Sequence, residues 1–162
     1  MTNKTQKKEV KASIRIGVNS TLISASFVIF VLLFTLNPQI LKENKIIAIQ
    51  IVMSIPLLVS ATLARTRSIY AKRHLGLYKI FHALCFETAY AMVINSVGLL
   101  LSMYTDAYIV IIYFIVNITL ALVFSILEIA ENSGKTKERL WKDGLFIAVI
   151  VLFGLFPLLN LY

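Results

Sequence analysis

The stretch IFHALCFETAYAMVINSVGLLLSMYTDAYIVIIYFIVNITLALVFSILEIA, residues 80–130, decides how the rest of the chain is read. It consists of two long apolar runs joined at the polar turn Tyr104-Thr105-Asp106, and each run carries one carboxylate, Glu87 or Glu128. An apolar run of about 18 or more residues is long enough to cross ~30 Å of hydrocarbon as a helix. The short turn then predicts a central, tight antiparallel helical hairpin in a membrane.

Helical periodicity sharpens that expectation, because residues three, four, seven, eight and eleven apart share a face. Glu87, Ala91, Asn95, Gly98 and Ser102 fall within roughly 80° of one another. Tyr113, Asn117, Ala121, Ser125 and Glu128 fall within roughly 120°. Counted from the turn, Asn95 and Asn117 lie at one depth, and Glu87 lies level with Ser125 and Glu128. Polar groups facing lipid are unfavourable by a few kcal/mol each, so the two stripes are expected to face each other or a common interior.

Two readings fit such stripes. Small residues let helices approach, and Asn or Ser side chains bridge them for roughly 0.6–2 kcal/mol each. Intramembrane carboxylates, by contrast, are costly and mark ion or proton routes. The first reading accounts for the small residues and the Asn pair. Only Glu87 and Glu128 argue for the second, and both lie toward one membrane face, where a carboxylate can reach headgroup water or pair with Arg65, Arg67 or Lys79.

Composition agrees with a membrane protein. Of 162 residues, 59% are hydrophobic, against about 45–50% in ordinary globular domains, and the mean hydropathy is +0.83. The polar segments are about fifteen residues long at most, well below the ~40 needed for an independent fold. The chain is therefore expected to be a basic arm, residues 1–15, followed by a single membrane domain, residues 16–162.

Outward from the hairpin, spans are expected at about 16–36, 46–64, 80–104, 107–130 and 145–162. Asn37-Pro38 ends the first, Pro56 lies inside the second with Gln50 and Ser54 one turn apart, and Ser133-Gly134 breaks the chain after the fourth. Asp143 is the expected N-cap of the fifth. Between the second and third spans, RTRSIYAKRHLGLYK supplies Arg65, Arg67, Lys72, Arg73 and Lys79 without an acid. Such a cluster beside a span attracts anionic lipid at about 1 kcal/mol per charge, and it is a candidate lipid- or partner-binding segment.

Lys and Arg accumulate on the cytosolic side. With the N-terminus inside, the inner segments hold five (4–15), five (65–79) and four (135–142), and the outer ones hold only Lys42 and Lys45. The expected topology is five transmembrane helices, N-terminus inside and C-terminus outside, in the plasma or cytoplasmic membrane. This distribution explains the formal charge of +8 without nucleic acid.

No metal-ligand spacing and no cofactor motif is visible; His82 and Glu87 lie roughly 140° apart on a helix. The single cysteine, Cys85, excludes an internal disulfide, and its spacing from His82 is weak support for a nucleophile, so no enzyme is expected. The favoured function is a small oligomeric channel or transporter for ions or protons, its path lined by Glu87, Asn95, Asn117, Ser125 and Glu128. Several copies are expected, since five helices enclose little space. The alternative is a membrane-embedded interaction or regulatory subunit, with the stripes as packing contacts and the basic segments on lipid or a protein partner.

Overall fold

The computed structural model describes residues 2–36, 38–70, 75–131, 134 and 136–160. Among them the elements are α1 Thr2–Leu36, α2 Pro38–Glu43, α3 Lys45–Tyr70, α4 Leu75–Leu101, α5 Ala107–Glu131 and α6 Thr136–Ile150. A π-helical turn, Val151–Leu155, then leads into α7, Phe156–Asn160. Five stretches are long and apolar enough to cross a membrane: Ile16–Thr35, Lys45–Ser68, Leu75–Leu101, Ala107–Glu131 and Thr136–Leu159. The chain is a helical, multi-pass membrane protein by that measure. Helix is what lipid demands, because every backbone N–H and C=O must find its partner within the segment.

Several expected boundaries move. The second helix continues to Tyr70 rather than ending at 64, and the third begins at Leu75 rather than 80 and ends at Leu101 rather than 104. No Gly or Pro lies between Leu57 and Leu75, and Arg and Leu are good helix formers, so the helices outrun their apolar runs. The basic residues 65–70 and 75–79 are accordingly helical, while Lys72 and Arg73 lie outside the described residues. The fifth span starts at Thr136, nine residues before the expected Leu145, because TKERLWKD is itself helix-forming. Asp143 therefore sits inside α6 and caps nothing. Its neighbour Lys142 reaches back one turn to Glu138 at 2.6 Å.

Helix α4 is the central element. It packs most extensively on α3 and next on α6, while α1 covers α3 and α5 lies along α6. Asn19 turns inward from α1 and donates to Thr62 Oγ1 at 3.1 Å. The neighbouring hydroxyls bond back within α1, Thr21 to the Gly17 carbonyl and Ser26 to that of Leu22. A turn over residues 102–106 links α4 to α5, with Thr105 Oγ1 donating to the Leu101 carbonyl at 2.9 Å. The core gathers Ile47, Ile51, Leu99, Phe114, Ile150 and Leu158. Large side chains such as Phe34, Ile115, Ile126 and Leu152 remain exposed on the outside, as lipid-facing residues do.

Arg65, Arg67, Lys79, Arg139 and Lys142 stand at one end of the bundle, the basic end; the turn 102–106 stands at the far end.

Candidate functional site

The far half of the bundle is closed by buried amides around the π-turn. Pro157 has no N–H, so the carbonyl of Phe153, its α-helical acceptor, is left without that donor. Gln50 of α3 fills the position, donating from Nε2 to Phe153 O at 2.9 Å. One turn earlier, Asn95 of α4 donates from Nδ2 to Val149 O at 3.0 Å. The Phe156 N–H closes the π-turn on Val151 O. Gly154 permits this approach: a Cβ on it would press into Asn95 Oδ1 and would lie 2.9 Å from Phe114 Cε1. Gly98 makes the same allowance on α4, where a Cβ would enter the Phe114 ring. Gln50, Asn95 and Phe114 are all essentially fully buried.

Toward the basic end the helices part. A cleft of about 1120 Å³ opens there, walled by α1, α3, α4, α5 and α6. Ile94 and Asn117 lie deepest in it, and Arg65, Lys79, Glu131 and Asp143 lie toward its mouth. The mouth follows from helix register: Glu87 is eight residues from Lys79, or ~12 Å, and Ile94 is fifteen residues away, or ~22 Å. Four stacked rings form one wall, with His82 and Phe86 at 6.0 Å, Phe86 and Tyr90 at 6.0 Å, and Tyr90 and Phe146 at 5.8 Å. His82 Nδ1 lies 2.9 Å from the Ala61 carbonyl, which only accepts, so that nitrogen carries the proton and ties α4 to α3.

The structure divides the predicted residues. Glu87, Asn117 and Glu128 line the cleft together. Asn117 donates to the Tyr113 carbonyl at 2.8 Å, leaving its amide oxygen on the other side of the group. Asn95 does not face Asn117; its amide is engaged by α6, because the freed and π-turn carbonyls there are the stronger claim on a buried donor. Ser125 is buried and lies off the cleft, its Oγ without a hydrogen-bond partner. Glu128 pairs with Arg139 of α6 rather than with Arg65, Arg67 or Lys79, and the Arg139 guanidinium also lies 5.1 Å over the Phe124 ring. The early start of α6 places Arg139 there. Arg65 and Lys79 border the cleft, and Arg67 is exposed beside it.

Sequence reasoning missed the Gln50, Asn95 and Pro157 arrangement as a unit. The signal was present: a proline four residues after Phe153 predicts an orphan carbonyl, and a lone amide in each of two neighbouring spans predicts its donors. Among the described residues no three His, Cys, Asp or Glu side chains converge as metal ligands. Comparison with family models, with curated proteins and with solved structures gives no match.

Proposed function

We propose that the chain is a membrane carrier that takes a charged substrate from the cytosol into the cleft. The observation that carries the reading is the cleft itself: a volume of about 1120 Å³ at membrane depth, lined by Glu87, Asn117 and Glu128. Carboxylates and amides at that depth are expensive unless they serve water or a substrate. In this reading α4 and α5 form an antiparallel hairpin that meets at Gly98 and Phe114 and spreads toward the basic end. The distribution of Lys and Arg supports a cytosolic position for that end, with the N-terminus inside and the C-terminus outside.

A carrier is favoured over a static pore because the far half of one copy is packed shut by Phe114 and the amides around Gly154. Release on the outer side then needs α5 or the end of the fifth span to move, and the π-turn is the place where that span is least regular. The basic residues Arg65, Arg67 and Lys79, with Lys72 and Arg73, hold the cytosolic rim on anionic lipid. Copies assembled side by side would preserve this arrangement, since the cleft is walled by one chain.

The test is uptake into liposomes that contain the purified protein, comparing the parent chain with Glu87→Gln/Glu128→Gln. Transport lost in the variant at unchanged particle size and melting temperature is the expected result. A folded parent chain that moves neither inorganic ions, small charged solutes nor labelled lipids would overturn the carrier reading in favour of an interaction or regulatory subunit.

A further inference from the structure

We infer that the substrate of the cleft is a zwitterionic amphiphile, with a phosphate-and-amine head and an apolar chain, which enters sideways from the bilayer between α1 and α5. The inference rests on the carrier reading and names its substrate class. Size is the first argument. A bare cation is held by six to eight oxygens at ~2.3–2.6 Å, and drug-sized ligands occupy roughly 300–1,000 Å³; the cleft, at about 1120 Å³, exceeds both.

Polarity by depth is the second. Charged side chains stand at the mouth, the stacked rings and Leu120, Phe124 and Ala121 line the middle beside Glu87, and Ile94 and Asn117 close the floor. Over most of that depth a soluble ion meets rings and aliphatic side chains. A molecule with a charged head and a hydrocarbon chain matches a charged mouth followed by a mainly apolar middle.

The charges at the mouth also divide by wall. Arg65 and Lys79 stand on α3 and α4 with Glu87, whereas Glu128, Glu131, Glu138 and Asp143 stand on α5 and α6 with Arg139 and Lys142, so the lining of the first wall is net positive and that of the second net negative. One wall suits a phosphate and the opposite wall an ammonium. Entry from the side follows from packing: α1 lies on α3 and α5 on α6, with little packing of α1 on α5. Val18 of α1 and Leu120, Phe124 and Leu127 of α5 line the cleft while remaining broadly exposed, so its apolar side merges with the lipid-facing surface.

Trp141, the single tryptophan, lies on α6 between two residues of the mouth and serves as an energy donor. The full chain is placed in phosphatidylglycerol nanodiscs, and pyrene-chain phosphatidylethanolamine is titrated against pyrene-chain phosphatidylglycerol. Transfer from Trp141 is expected to exceed random mixing and to saturate at a mole fraction about tenfold lower for the zwitterionic probe. Lys79→Glu/Asp143→Lys, which reverses both walls on accessible positions, should remove most of that preference, and Ala121→Phe should lower transfer by filling the middle of the cleft. Equal, unsaturating transfer from both probes would mean bilayer lipid only and would overturn the inference. Displacement by free phosphoethanolamine would also overturn it, because the cleft would then take a soluble solute. Saturable binding with no movement of the probe across liposomes would leave the site standing and remove the carrier reading; movement of small ions without probe binding would do the reverse.

Discussion

Adding one methyl group at Gly154 tests the closed half of the molecule. A Cβ there would press into Asn95 Oδ1 and lie 2.9 Å from both Asn95 Cγ and Phe114 Cε1, where unstrained carbon contacts need ~3.5–4.0 Å. Neither neighbour has room, since Asn95 and Phe114 are both fully buried and the Asn95 amide is fixed on Val149 O at 3.0 Å. Overpacking of this kind costs ~1–3 kcal/mol. Dislodging the Asn95 bond adds ~0.6–1.7 kcal/mol at membrane values. Gly154→Ala should therefore destabilise by about 2–4 kcal/mol, a fall in melting temperature of about 5–15 °C for a chain of this size. Gly144→Ala, ten residues earlier with nothing within 4 Å of its Cβ, is the control; it should be neutral or stabilise by ~0.5–1 kcal/mol. Thermal melts of the purified protein in detergent, run on Gly154→Ala, Asn95→Ala and the double variant, decide the matter. The clash predicts that Asn95→Ala recovers part of the loss, with a coupling of at least ~1 kcal/mol. Equal melting of Gly154→Ala and the parent, or strictly additive losses, would refute the reasoning.

Other predictions follow from the same contacts. Gln50→Leu strips the donor from Phe153 O and should cost ~1–3 kcal/mol; adding Pro157→Ala supplies a backbone N–H for that carbonyl and should restore part of it, as read by the same melts. Arg139→Gln removes both the Glu128 pair and the contact over Phe124, yet the pair is 18% and 26% exposed, so after discounting for solvent the loss should stay near ~1 kcal/mol. The assay in which Arg139→Gln should stand out is transport, through the shape of the cleft mouth. His82→Phe keeps the ring stack with Phe86 but loses the bond to Ala61 O, and should lower stability by ~1 kcal/mol while leaving the spectrum of a folded helical protein unchanged.

Five apolar helices were legible because each span is a run too long and too apolar for anything else, and helical periodicity, which is simple arithmetic, put Glu87 on one polar stripe and Asn117 and Glu128 on another, the three residues that line the cleft. The ends of the spans were less so. Hydropathy stops at Ala64 and starts at Leu145, but helix propensity does not, and the residues between 136 and 145 carry the Arg139 that pairs with Glu128. Asn95 shows a second limit. Its place on the stripe is right by angle, but which of two neighbouring helices claims its amide depends on where carbonyls are left over. That was set sixty-two residues away by Pro157 and the π-turn, a local event just past α6 that pairing arguments from the turn 102–106 do not contain.

The central claim is a polar cleft reached from the cytosol and closed toward the far side. Its most direct test is thiol labelling in a Cys85→Ala background, where no other cysteine remains. Single cysteines at Asn117, deep in the cleft, at Glu131, at its mouth, and at Ile112, on the exposed apolar face of α5, are treated with a charged, impermeant maleimide in oriented vesicles. Labelling of positions 131 and 117 from the cytosolic face, none from the outer face, and none at 112 is the predicted result. Reaction at 131 with position 117 silent from both faces would mean that water and charge do not enter the bundle, and would contradict the account.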